Sequence, residues 1–74
     1  MAKIKGWLQM LNQRDIINYV RTTGYGGVLI HYDYGKRYWN VSIKGKNIDE
    51  QTNFKTKKES LDYAIKYMRA NPNG

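Results

Sequence analysis

Apolar and polar residues alternate through the middle of the chain, and this period of two constrains the fold more than any other feature. The alternation covers two stretches, 28–33 and 38–44, separated by Asp33-Tyr34-Gly35-Lys36, which has the composition of a tight turn. Because successive side chains of a strand point to opposite faces, each stretch is expected to be a strand with one apolar face. The sequence therefore predicts a β-hairpin whose second strand directs Trp39, Val41 and Ile43 into a core.

A weaker third strand is predicted after this hairpin. The segment Lys44-Gly45-Lys46-Asn47 is a second turn, and residues 48–54 alternate again. Ile48, Glu50, Thr52 and Phe54 form one side of this strand, opposite Asp49, Gln51 and Asn53. Three strands joined by tight turns form an antiparallel meander with one apolar and one polar face.

The period changes to that of a helix after residue 56. Thr56-Lys57-Lys58-Glu59 has the form of a capping box, in which the Thr56 hydroxyl and the Glu59 carboxylate satisfy free backbone N–H groups. Apolar residues then recur at helical spacing, at Leu61, Ala64, Ile65 and Met68. Since Pro72 disfavours helical geometry at the residue before it, we predict a helix over 57–70.

The N-terminal third carries weaker signals. Asn12-Gln13-Arg14-Asp15 resembles a helix start, apolar residues follow at 16, 17 and 20, and Gly24 is a plausible stop, so a short helix is predicted over 13–22. The first eleven residues fit either a helix face or an alternating strand.

The predicted fold class is therefore α+β: a short N-terminal helix, a three-stranded antiparallel sheet and a C-terminal helix packed on one sheet face (α-β-β-β-α). Seventy-four residues are enough for a single small domain. We expect a core over 12–71, an ambiguous segment over 1–11 and a tail over 72–74.

Composition argues against catalysis. The chain has no cysteine, one histidine (His31) and six carboxylates without the spacing of a metal loop, so neither a metal site nor a cofactor is expected. A triad or proton relay has too few candidate residues. No apolar run approaches the length that spans a bilayer, and we expect a cytoplasmic protein without membrane contact. The chain is not expected to be an enzyme.

Charge points to an acidic partner. Lys and Arg number 13 against six Asp and Glu, a net charge of +7, and residues 36–74 carry most of the excess. The period of two places polar side chains on the open sheet face, and basic turn residues lie at both ends of the middle strand. These candidate nucleic-acid contacts are Lys36, Arg37, Tyr38, Asn40, Ser42, Lys44 and Lys46. A solvated sheet face with basic turns is the alternative interpretation.

A second basic cluster, Lys55, Lys57 and Lys58, lies at the start of the predicted C-terminal helix. The unpaired N–H groups and dipole of a helix start already favour anions, so a phosphate there would offset the unfavourable lysines. The alternative is that Thr56 and Glu59 satisfy the helix end and that the lysines project into water.

Two families share features with this chain. Residues 28–68, with Trp39 in the middle strand and the segment Phe54-Lys55-Thr56-Lys57-Lys58-Glu59, resemble the arm-type DNA-binding domain of phage and transposon integrases. In that family the open sheet face enters the DNA major groove, which implies contacts from Lys36, Tyr38, Asn40, Ser42 and Lys44. The order α-β-β-β-α is also similar to double-stranded RNA-binding domains, in which basic residues at a helix start grip phosphates; this implies a role for Lys55, Lys57 and Lys58.

These observations predict a small, basic, non-catalytic nucleic-acid-binding protein, with duplex DNA favoured over RNA, that would associate with the nucleoid. The alternative is a protein of phage or mobile-element type that binds and inhibits, or adapts, an acidic host protein.

Overall fold

The structure, a computed structural model, describes residues 4–22 and 24–72. These residues form one antiparallel sheet in the order β1-β2-β3-β4-β5, followed by a helix. The elements are β1 (Trp7–Asn12), β2 (Ile16–Arg21), β3 (Gly26–Asp33), β4 (Tyr38–Gly45), β5 (Asp49–Phe54) and α1 (Lys57–Ala70). Every strand pairs with its neighbours in sequence, so the sheet is a meander throughout. No helix in this part of the chain is long and apolar enough to cross a membrane.

The predicted C-terminal elements are confirmed. In the β3–β4 turn, Oδ1 of Asp33 accepts hydrogen bonds from the backbone N–H groups of Gly35 (3.0 Å) and Lys36 (3.1 Å). The helix spans 57–70 as predicted, and the backbone N–H of Glu59 donates to the hydroxyl of Thr56 at its start. The Glu59 carboxylate departs from the expected capping box, because it accepts a hydrogen bond from the Thr56 hydroxyl.

The predicted helix over 13–22 is wrong, and with it the three-stranded α-β-β-β-α fold class. Residues 13–15 form a hairpin turn, closed by the N–H of Gln13 donating to the carbonyl of Ile16 at 2.8 Å, and β2 follows. Ile17 and Tyr19 face the core, whereas Ile16 and Val20 lie on the other face. Because both faces of β2 carry apolar residues, their combined spacing imitates a helix, while the β-branched side chains favour a strand. The observed order β-β-β-β-β-α also lacks the first helix on which the RNA-binding resemblance depends.

The N-terminal segment was ambiguous for a related reason. Residues 7–12 form an edge strand with a β-bulge between Gln9 and Leu11. The inserted residue places both Leu8 and Leu11 on the open face, although their spacing of three is that of a helix. Ile4 and Trp7 are buried in the core, so the segment 1–11 belongs to the core as far as it is described.

The core lies between the sheet and α1. The helix packs on β3, β4 and β5, and the fully buried apolar residues are Val28, Ile30, Val41, Ile43, Ala64 and Met68. The inward face predicted for β3 and β4 is therefore confirmed for these four strand residues. Trp39 is only half-buried at the edge of this cluster, whereas Trp7 is 6% exposed. Trp7 is thus the tryptophan of the core.

The two ends of the described chain meet beside Trp7. Its indole N–H donates to the carbonyl of Asn71 at 3.1 Å, and the guanidinium carbon of Arg21 lies 4.5 Å from the centre of the indole ring. Gly6 has φ +84°, and a Cβ there would lie 1.8 Å from the carbonyl oxygen of Pro72. Pro72 therefore packs against the domain, in contrast to the predicted tail over 72–74, of which residues 73 and 74 lie outside the described part.

Gly6→Ala is expected to lower the free energy of unfolding by about 2–3 kcal/mol, because it adds a clash with Pro72 to the penalty for a left-handed backbone. Gly24→Ala is the matched control, since Gly24 has φ +76° and, apart from its chain neighbours, no atom of the described residues lies within 4 Å of its Cβ position. It should lose only about 1 kcal/mol, the backbone penalty alone. Urea denaturation followed by circular dichroism measures both. Equal losses in the two variants would contradict the close approach of Gly6 to Pro72.

Candidate nucleic-acid interface

Two adjacent strands at one edge of the sheet carry a polar surface on the face opposite α1. The register pairs Asn40 with Asn53 and Ser42 with Gln51 across β4 and β5. Tyr38 continues the same side of β4 and is 41% exposed. We call these five residues the polar ribbon. The structure thus places Tyr38, Asn40 and Ser42 where the sequence predicts them, on the open face.

Hydrogen bonding within the polar ribbon leaves groups available for a ligand. The Nδ2 group of Asn40 donates to Oδ1 of Asn53 at 2.8 Å, which orients both amides and leaves Oδ1 of Asn40 and Nδ2 of Asn53 as an acceptor and a donor. Beside them is a small polar hollow of about 170 Å³, lined also by His31, Asp33 and Lys36. Nδ1 of His31 is itself buried and has no hydrogen-bond partner within the described residues. The surface can therefore read hydrogen-bond donors and acceptors.

Basic residues from three separate segments meet at one end of the sheet. The β1–β2 turn, the β3–β4 turn and the start of α1 all lie there, because the strands alternate in direction and α1 follows β5. Nζ of Lys57 donates to the carbonyl of Arg14 at 3.0 Å and lies 5.6 Å from the centre of the Trp39 ring. The hydroxyl of Tyr34 donates to Asp15 across the two turns. We call this group the basic end: Arg14, Lys36, Arg37, Lys55, Lys57 and Lys58.

The structure thus brings one part of the first predicted basic group together with the second basic cluster. Lys36 and Arg37 share the basic end with Lys55, Lys57 and Lys58, although the sequence places them in different turns. Lys44 and Lys46 lie at the opposite end of β4, with Lys44 on the open face. Cations therefore flank the polar ribbon along its length.

Few of these cations are neutralised by a neighbouring carboxylate. Among the described residues one ion pair occurs, between Lys58 and Asp62 (3.1 Å), and both of its side chains are well exposed. Other carboxylates bind neutral donors: Glu50 accepts from the hydroxyl of Tyr63, and Asp33 from turn amides. The excess positive charge is therefore available to an external anion.

The tyrosines that bind these carboxylates stay protonated in neutral solution. The hydrogen bond to Asp15 raises the pKa of Tyr34 above its ordinary value, and the bond to Glu50 does the same for the pKa of Tyr63. Burial raises the pKa of Tyr19. These three hydroxyls are therefore neutral near pH 7 and do not change the charge of the surface.

The sequence did not identify an apolar half of the open face. Leu8 and Leu11 of β1, Val20 of β2 and Leu29 of β3 lie on that face, and Leu8 is 53% exposed. Leu8, Leu11 and Val20 were missed because their positions on this face depend on strands β1 and β2. The sequence pattern predicted a helix over 13–22 and left residues 1–11 ambiguous. Two apolar segments on either side of the turn-forming residues Asn12-Gln13-Arg14-Asp15 were the available hairpin signal.

The described residues contain no cluster of three or more histidine and acidic side chains that could hold a metal ion. Comparison with known proteins finds no matching family model, no matching curated protein and no matching solved structure. The resemblances to integrase arm-type domains and to RNA-binding domains therefore stay hypotheses, and function must be argued from this surface.

Proposed function

We propose that this protein is a small, non-catalytic nucleic-acid-binding protein that binds duplex DNA through the polar ribbon and the basic residues around it. The observation that carries the proposal is the polar β4–β5 surface, which is flanked by cations of which, within the described residues, only Lys58 forms an ion pair. On this proposal the protein acts in the cytoplasm, at the nucleoid.

The position of the polar ribbon at a sheet edge supports a groove-binding role. The major groove of B-DNA admits a two-stranded β-ribbon, whereas a flat five-stranded face is too wide for it. β5 is an edge strand, so β4 and β5 can enter a groove while the rest of the sheet stays outside. The amides of Asn40, Gln51 and Asn53 are the groups that pair with base edges.

The surrounding cations supply the contacts that do not depend on base sequence. Lys36 and Arg37 lie at one end of β4, and Lys44 and Lys46 at the other. A duplex in contact with the ribbon would bring phosphates to both ends, and each neutralised phosphate releases a condensed counterion. Lys55, at the same end, can extend these contacts, whereas the ammonium groups of Lys57 and Lys58 already bind the Arg14 carbonyl and Asp62.

Salt dependence tests this proposal. If roughly five phosphates are neutralised, log K should fall with log salt concentration with a slope of about −4 to −5. Fluorescence anisotropy with duplex DNA, duplex RNA and single strands, each over a salt series, gives the slope and the preferred form. If the protein binds none of these nucleic acids at low salt, the proposal is wrong.

The apolar half of the open face favours a second candidate function, the binding of another protein, and the net charge of +7 favours an acidic one. Leu8, Met10 and Leu11 of the edge strand β1 are exposed, and β1 carries no charged residue. Uncharged edge strands of this kind are available for pairing with another chain. Retention of a partner after nuclease treatment distinguishes this candidate, because a complex bridged by nucleic acid does not survive that treatment.

A further inference from the structure

A second concavity on the open face lies outside the polar ribbon, where β2, β3 and β4 meet the loop after β2. It has a volume of about 520 Å³, within the range of roughly 300–1,000 Å³ that is usual for small-molecule sites. Two cross-strand rows form its floor: Val20, Gly27 and Lys44, and beside them Asn18, Leu29 and Ser42. We call it the loop groove.

The floor of the loop groove suits a flat apolar group. Val20 and Leu29 provide its apolar surface, and Gly27, between Val20 and Lys44 in the register, contributes no side chain. The hollow therefore exists because no side chain occupies the middle position of the row formed by Val20, Gly27 and Lys44. A flat ring can lie over this floor in contact with both aliphatic side chains.

Tyr25 supplies an aromatic wall. It lies in the loop between β2 and β3, lines the groove, and is 69% exposed. Its ring contacts none of the other described aromatic rings, in contrast to Tyr34, which is equally exposed but packs edge-on against Tyr32 at 4.8 Å. An unpartnered tyrosine beside an apolar floor is the arrangement on which proteins stack unpaired bases.

The polar groups of the groove fit a nucleotide. Nδ2 of Asn18 donates to the carbonyl of Val28 at 3.3 Å, which leaves Oδ1 as an acceptor, and the hydroxyl of Ser42 can donate or accept. Lys44 supplies a cation at the border with the polar ribbon. Asp49 is its cross-strand neighbour, but the two form no ion pair, and the described residues that line the groove include no carboxylate.

We propose that the loop groove binds an unpaired nucleobase, stacked on Tyr25, next to the duplex held by the polar ribbon. This inference rests on the proposed function and narrows its substrate class to duplex DNA with an adjoining single-stranded segment. Ser42 and Lys44 belong to β4 and border both sites, so one strand can pass from the ribbon to the groove. The phosphate between the two sites meets Lys44.

The test compares a blunt duplex with the same duplex carrying a single-stranded tail that contains 2-aminopurine. The wild-type protein should bind the tailed duplex about tenfold more tightly, the effect of stacking one base, and should quench the 2-aminopurine fluorescence. Tyr25→Ala should lose this preference and the quenching, yet bind the blunt duplex as the wild type does. Tyr34→Ala is the matched control, equally exposed but far from the groove, and should retain the preference.

The possible failures are distinct. Equal binding of blunt and tailed duplexes by the wild type, or an unchanged preference in Tyr25→Ala, would overturn the base site while leaving the proposed function intact. Absence of binding to both duplexes would overturn the proposed function and this inference together.

Discussion

Trp7→Ala is expected to lower the free energy of unfolding by about 3–5 kcal/mol, the range usual for removing a large buried aromatic side chain. Trp7 is 6% exposed, its ring packs edge-on against Tyr67 with centres 6.2 Å apart, and Arg21 covers its face. Its truncation also leaves the carbonyl of Asn71 without the indole donor. Urea denaturation followed by far-ultraviolet circular dichroism measures the loss.

Trp39→Ala is the matched control for this prediction. Trp39 is half-buried at the basic end, where its ring contacts Tyr32 (5.3 Å between centres) and Lys57. Its loss should destabilise the domain by only about 1–2 kcal/mol, because less apolar surface returns to water. Each variant keeps one tryptophan, so fluorescence reports on the other site. A larger effect for Trp39→Ala than for Trp7→Ala would contradict the position of the core.

The double variant Lys36→Glu/Lys44→Glu is expected to weaken duplex DNA binding about 100-fold or more in roughly 0.1 M salt, because each lost phosphate contact contributes about a factor of ten under those conditions. The two lysines lie at opposite ends of the polar ribbon, and the ammonium group of neither forms an ion pair within the described residues. The salt slope should also become less steep by about two units. Anisotropy titrations over a salt series measure both quantities.

The control for this variant carries the same change in net charge on another surface. Lys66 and Arg69 are exposed on α1, which covers the face of the sheet opposite the polar ribbon. Lys66→Glu/Arg69→Glu should therefore weaken binding by only a few-fold, through long-range electrostatics that salt screens. Comparable losses in the two double variants would show that net charge governs binding and that the polar ribbon is not the site.

The sequence was informative where one face of an element is apolar and the other polar. In β3, β4 and α1 the pattern has a single period, and the hairpin, the helix and the outward positions of Asn40 and Ser42 follow from it. β1 and β2 have apolar residues on both faces, and the bulge after Gln9 shifts the period within β1. Local pattern could not separate strand from helix there, because cross-strand partners decide the outcome.

The candidate site was likewise predictable from the sequence in one part and not in another. Side-chain parity along β4 predicted the open face, but the position of Arg14 beside Lys36 and Lys57 depends on β1 and β2, which the sequence pattern did not predict as strands. The predicted three-stranded fold does not contain the β1–β2 turn that carries Arg14, and the loop groove requires β2 beside β3. The position of these residues relative to one another therefore depends on the five-stranded topology, which the N-terminal sequence pattern did not predict.

The contact between Trp7 and Asn71 has a consequence for the order in which the protein folds during synthesis. Every strand pairs with a neighbour in sequence, so the meander has low contact order and its hairpins can form as soon as they leave the ribosome. The indole N–H of Trp7 cannot form its hydrogen bond until Asn71, 64 residues later in the chain, has been synthesised. Until then its ring is only partly covered, and a nascent or C-terminally truncated chain presents an exposed tryptophan to chaperones and proteases.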